Sequence, residues 1–154
     1  PKLVERAGTS RRGAITAIYT VLVEGEDLDE PIADETKGIL DGHIVLRRDI
    51  AQRGRFPAID PLRSVSRCMS AVVDPAHEEA ARVVRRLLAV HEDNRDLVQL
   101  GAHVKGADPE VDRAIAAFRP IEAFLQQGRD DGPSRFEDTI AALSSLARTH
   151  GAIG

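Results

Sequence analysis

Tryptophan is absent, and one tyrosine with four phenylalanines brings the aromatic content to only 3% of 154 residues. A core must therefore be built from Leu, Ile, Val and Ala. Cys68 is the lone cysteine, so no internal disulfide can form, and the sequence suits a reducing compartment. No apolar run approaches the ~18 residues that a membrane span requires, and no signal peptide opens the chain. Basic residues do not predominate: 21 Lys and Arg stand against 25 Asp and Glu, for a net charge of −4. A nucleic-acid footprint needs a basic excess or a basic stripe, so no nucleic-acid partner is expected. The motifs GxGxxG, HExxH and CxxC are missing, and no glycine is followed by lysine, which excludes a phosphate loop within these residues. His43, His77, His91, His103 and His150 lack metal-ligand spacing, and no metal site is expected.

What is present reads as globular: 42% of residues are hydrophobic and 30% charged. Ala14 to Val23 is β-branched and almost continuously apolar, the pattern of a strand buried on both faces. Glu24 to Glu30 is an acidic loop, and Pro31 opens a helix expected to end near Gly42. His43 to Leu46 suits a short strand, and Arg47 to Arg53 a short helix stopped by Gly54. Phe56 to Leu62 holds two prolines, which exclude a helix interior or a central strand.

From Asp74 onward the pattern turns helical. Asp74-Pro75 and Asp108-Pro109 each combine a cap with proline at the first helical position. The first helix places Ala80, Val84, Leu87, Leu88 and His91 on one face, and a second stretch runs to Gly101. The next helix aligns Val111, Ala114, Ile115, Phe118, Ile121 and Leu125 and is expected to end at Gly128. Ser134 and Glu137 have capping-box spacing. Behind them Phe136, Ile140, Leu143 and Ala147 share a face up to Gly151. The expected organisation is an α/β remnant over residues 1–70 and a helical bundle over 74–150. Two strands with open edges do not close a sheet, so further strands are expected before Pro1 in a longer parent protein.

One stretch carries more than its periodicity. Residues 39–69, ILDGHIVLRRDIAQRGRFPAIDPLRSVSRCM, closely resemble the rotary-type ATPases, and among them the ATPases of flagellar and type III secretion export. ITAIYTVLVEGEDLDEPIAD (15–34) is similar to the strand and loop before that block. LVQLGAHVKGADPEVDRAI (97–115) and EAFLQQG (122–128) are similar to the family's C-terminal helical domain, nearer its flagellar branch.

The resemblance implies a few strands of a RecA-like nucleotide-binding domain followed by the family's helical domain. It implies a parent that hydrolyses ATP with Mg²⁺ as a cytoplasmic homohexameric ring, peripheral to the inner membrane and not spanning it. Its partners would be a central stalk protein, a stator or regulator, and export chaperones. The phosphate loop, the acidic Mg²⁺ strand and the catalytic glutamate of that family lie upstream of these residues, so this chain alone would be inactive.

The resemblance also assigns roles. Arg67, at the end of the SVSR block, matches an arginine that reaches a neighbouring subunit's ATP. A planar, permanently charged guanidinium can meet the γ-phosphate oxygens with two hydrogen bonds. Phe56 matches an aromatic set against adenine, with Phe124 and Phe136 as candidates to close that pocket. Glu26, Asp27, Asp29 and Glu30 match a loop facing the ring's central hole, and Lys105, Asp108 and Glu110 lie in the tip that meets the stalk. By residue type alone, Arg67 is a surface arginine, the acidic loop a solvated turn, and Asp108-Pro109 a capped inter-helix turn. Asp60 has two open roles, pairing with Arg67 or another arginine, or forming a turn. Two alternatives stay open: a non-catalytic protein-binding helical module, and an ATP synthase-type subunit.

Overall fold

In the computed structural model, residues 4–23 and 31–151 are described. They group into two compact units, residues 1–43 and 44–154.

The first unit contains a 3-10 turn at Val4–Arg6, strands β1 (Gly8–Ser10) and β2 (Gly13–Ile15), and helix α1 (Pro31–Ile39). β1 and β2 pair antiparallel, with Thr9 opposite Ala14. Gly13 has φ of 150°, and its carbonyl accepts the Ser10 hydroxyl at 3.1 Å, which closes the turn. The long buried strand expected over Ala14–Val23 is not formed. Only its first two residues are in β2, and Ile18 is 94% exposed. Apolar continuity makes a two-sided buried strand only where neighbours cover both faces. Among the described residues, the strand paired with β2 is the three-residue β1. Helix α1 starts at Pro31 as expected and stops at Ile39.

The second unit takes in most of β3 (Gly42–Leu46), with α2 (Arg48–Gln52), β4 (Ile59–Ser66) and α3 (Met69–Val72). The bundle helices follow: α4 (Pro75–Asp93), α5 (Arg95–Gln99), α6 (Pro109–Leu125) and α7 (Phe136–Gly151). β3 and β4 form a two-stranded sheet. The prolines hid β4 from pattern reading, and Pro61 is tolerated because such a sheet has only edge strands. Leu62 packs against the bundle core, so by packing β4 joins the helices and the compact unit begins at Ile44, upstream of the expected helical domain.

The core joins Ala80, Val84, Leu87 and Leu88 of α4 to Ala114, Ala117 and Ile121 of α6 and Leu143 of α7. Both Asp-Pro starts cap as expected. Asp74 Oδ1 accepts the N–H of His77 at 2.8 Å, and Asp108 Oδ1 accepts those of Glu110 and Val111 at 2.8 and 3.3 Å. Ala117 is fully buried although it lay outside the expected face, because α6 is covered by both α4 and α7. Small side chains at 114 and 117 let these helices approach closely. At Gly151, an added Cβ would collide with Val83 Cγ1 of α4.

Three local expectations fail. α6 ends at Leu125, not at Gly128, whose N–H instead donates to Asp131 Oδ2 in a turn. α7 begins at Phe136, so Arg135 rather than Ser134 flanks its first turn, and the Arg135 carbonyl accepts the Thr139 N–H at 3.1 Å. Phe136, expected on the inner face, is 67% exposed at the very start of α7, at the edge of the bundle rather than in its core. Pro120 lies inside α6, and the buried face around it holds the helix together despite the lost N–H.

Ile121→Ala is expected to destabilise the chain by about 2–5 kcal/mol, since the site is fully buried and cannot collapse. Leu100→Ala, at an 81% exposed position, is expected to stay within about 0.5 kcal/mol. Urea unfolding followed by circular dichroism measures both, and equal losses would contradict this core.

Candidate functional site

β4 is organised by one buried carboxylate. Asp60, 5% exposed, accepts the N–H of Leu62 (2.9 Å) and of Arg63 (3.1 Å) at Oδ1, and Arg47 Nη1 (3.1 Å) at Oδ2. Its carbonyl accepts the Ser64 hydroxyl at 2.6 Å, and Ser64 Oγ in turn accepts the Val45 N–H at 3.0 Å. Burial alone would push the Asp60 carboxyl up. The N–H groups of Arg63 and Leu62 and the charged, hydrogen-bonding Arg47 outweigh it and hold the carboxyl below its usual value. Asp60 thus fills both roles left open for it, turn former and arginine partner: Arg47 hydrogen-bonds it, and Arg63 Nε lies 3.8 Å from the same oxygen. Arg47 also donates from Nη2 to Asp49 Oδ2 at 2.8 Å, which Arg53 Nη2 meets at 3.0 Å. Position 47 gave no motif signal, because an ion pair thirteen residues apart in sequence has no local signature.

Arg67 follows β4 directly, in the bend before α3, and is exposed together with Cys68. Phe56, at the other end of this segment, has its ring about half exposed. Its carbonyl accepts the N–H of Gln127 at 2.8 Å, which ties the loop before β4 to the residues just after α6. That bond brings Phe56 to the segment carrying Phe124, which is half-buried against the bundle core. The Phe136 ring instead packs edge-on against His77 at the start of α4, with centroids 6.0 Å apart.

The turn between α5 and α6 is internally braced. Asp112 Oδ1 pairs with His103 Nε2 at 2.7 Å, and its Oδ2 accepts the Gly106 N–H at 2.7 Å. The bond to His103, then that to Gly106, holds the Asp112 carboxyl below its usual value. Gly101 and Gly106 have φ of 66° and 89°, conformations that side chains resist. Lys105 projects from this braced turn, and Asp108 is consumed as the α6 cap. Glu110 Oε1 accepts Arg86 Nε of α4 at 2.6 Å. Glu26, Asp27, Asp29 and Glu30 lie outside the described residues.

A cleft of about 610 Å³ opens between α2, the start of β4, α4 and α6. Its floor includes Leu88 and Leu125, and its walls carry Arg55, Arg119 and Glu122. His91 stacks flat on Phe118 there, with centroids 3.7 Å apart, and burial pushes its imidazole below the usual value. Among the described residues, no group of three His, Cys, Asp or Glu is placed to hold a metal ion.

Comparison with known proteins places this arrangement. Residues 1–66 match the ATP synthase alpha/beta family, nucleotide-binding domain, and residues 73–145 match the T3SS EscN ATPase C-terminal domain. Across both matches the chain is similar to the flagellar and type III secretion export ATPases. The flagellum-specific ATP synthase of Treponema pallidum is 54% identical over 95% of this chain and 32% of its own length. The assembled ATPase EscN of enteropathogenic E. coli superposes with a TM-score of 0.89 at 45% identity, over 94% of this chain and 35% of that one. EscN in complex with its central stalk EscO gives 0.83 at 44% identity, over 95% and 34%. This chain therefore spans about a third of the length of its relatives. The expected fold class holds: a partial nucleotide-binding domain joined to a helical part. No helix among the described residues is long and apolar enough to cross a membrane.

Asp60 carries a pH signature. Its carboxyl titrates below the ordinary aspartate value of about 3.9. The stabilisation is complete above that value and is lost as pH falls through the folded-state value. Arg47→Met is expected to raise the Asp60 midpoint in a carboxyl carbon NMR titration and to move the onset of acid unfolding to higher pH. An unchanged midpoint would rule out Arg47 as its counter-ion.

Proposed function

We propose that this chain is the part of a hexameric, ATP-hydrolysing export motor that completes a neighbour's nucleotide site and meets the motor's partners. The observation that carries the reading is Arg67, an exposed arginine directly after a strand braced by Asp60 and Ser64. ATP hydrolysis spreads negative charge over the γ-phosphate oxygens. Arg67 would meet them from the adjacent subunit with a planar, positively charged guanidinium.

Phe56 would offer its exposed face to adenine, with Phe124 bordering it through the Gln127 tether. Phe136, whose ring meets His77 edge-on, would take part only from the far side of that pocket. Mg²⁺ would accompany the ATP, held by residues outside this chain. The braced tip with Lys105, together with the acidic residues Glu26, Asp27, Asp29 and Glu30, would contact a basic-and-acidic stalk surface. EscN is known as a complex with its central stalk, which supports that partner for the ring. A stator or regulator and export chaperones would dock on the helical part. The ring would work in the cytoplasm, against the inner membrane without spanning it. The chain alone, without a phosphate loop, would not turn over ATP.

Arg67→Ala in the full-length protein is expected to lower steady-state ATP turnover by about 10³-fold, with nucleotide affinity within a fewfold of wild type. Turnover within a fewfold of wild type would sink the trans-arginine role and favour the binding-module alternative. Phe56→Ala is expected to weaken nucleotide binding about tenfold, read by titration with a fluorescent ATP analogue. A Phe56→Tyr variant should bind as wild type does.

A further inference from the structure

The strand that ends at Arg67 is held from a second side. Arg85 of α4 donates from Nη1 to the Ser64 carbonyl at 3.1 Å and from Nη2 to the Leu62 carbonyl at 3.2 Å. Carbonyls two residues apart leave a strand along the same edge. One rigid, planar guanidinium bonded to both therefore restricts how β4 can roll about its own axis. Ser64 is gripped twice, its hydroxyl by the Asp60 and Val45 backbone and its carbonyl by Arg85. Arg67 lies three residues beyond, just past the strand.

Arg85 is itself well anchored. Its neighbours Val84 and Leu87 are core residues. The next residue, Arg86, reaches the opposite way, to Glu110 in the first turn of α6. Adjacent arginines on one helix thus grip the strand leading to Arg67 and the helix leading from the braced tip.

We infer that Arg85 is a positioning residue for Arg67: its two-carbonyl grip on β4 sets the direction in which the trans guanidinium is presented. This rests on the role proposed for Arg67 and adds a second residue, on the helical part, that the role requires. Arg85 touches no nucleotide in this account. Its loss should therefore lower kcat and leave nucleotide affinity alone, since affinity depends on contacts elsewhere.

The test uses the full-length hexamer, with ATP turnover, nucleotide affinity and thermal midpoint measured for each variant. Arg85→Ala is expected to lower kcat about tenfold, with nucleotide affinity within about twofold of wild type. Arg85→Lys, which keeps the charge and can reach one carbonyl at a time, should recover part of that loss. Arg82→Ala removes an arginine of the same helix whose partner is Glu79 one turn away, and should leave kcat within about twofold. The deciding measurement is the double variant. If Arg85 acts through Arg67, adding Arg85→Ala to Arg67→Ala costs no further turnover.

Equal losses from Arg85→Ala in both backgrounds would overturn the inference, as would wild-type kcat in the single variant. So would a kcat loss that simply tracks the thermal midpoint across the Ala and Lys variants. If Arg67→Ala itself turns over normally, the trans-arginine reading fails and takes this inference with it. If Arg67→Ala is inactive while Arg85→Ala is normal, the inference alone fails.

Discussion

Everything on the strand side of the second unit depends on a carboxylate that has been taken out of water. Removing a carboxylate from solvent costs several kcal/mol unless its oxygens find donors. Asp60 finds three, in the N–H groups of Leu62 and Arg63 and in the Arg47 side chain. Those same contacts bend the chain into β4, draw in the helix that starts after Arg47, and place Ser64 beneath Val45 of β3. A two-stranded sheet is marginal by itself. Here Asp60 braces it from within, and Leu62 and Arg85 attach it to the bundle. The position of Arg67 follows from that bracing, because the strand ends immediately before it.

The bundle serves a different purpose. α4 is its longest helix and packs on α6 and α7 through the core and on β4 through Arg85. Its packing relies on alanines at 114 and 117 and on the missing side chain at Gly151, so close approach replaces the aromatic bulk the chain lacks. One helix thus bonds both to the strand before Arg67 and to the first turn of α6. The α5–α6 turn is braced by Asp112 through His103 and Gly106.

Much of this was legible beforehand where the physics is local. Asp74-Pro75 and Asp108-Pro109 start helices because a carboxylate caps free N–H groups and proline lacks the one that would be wasted. The α4 face at Ala80, Val84, Leu87 and Leu88 followed from a 3.6-residue period and is the observed core. Local signals also misled. Ser134 had the spacing of a capping box, yet α7 starts one residue too late to use it. Gly128 looked like a helix stop, but Asp131 recruits its N–H into a turn. Apolar continuity over Ala14–Val23 described what such a segment needs from its surroundings, and those are not supplied by β1. At the candidate site, the resemblance drew attention to Phe56, Phe124 and Arg67 as separate residues. The Gln127 N–H that ties the loop of the first to the segment of the second is a backbone bond across seventy-one positions, and no pattern of residue types announces it.

The sequence by itself therefore determined the helices from Asp74 onward, the two Asp-Pro caps, the inner face of α4 and the resemblance to the export ATPases. All of these are written in spacings of a few residues or in blocks of side chains kept in order. Only the tertiary structure decided which arginine answers Asp60, that Arg85 turns toward β4 while Arg86 turns toward α6, and that Phe136 meets His77 outside the core. The physical reason is range. Caps and periodicity act within a turn or two of helix, whereas an ion pair or a carbonyl grip joins residues whose separation along the chain carries no information about their distance in space.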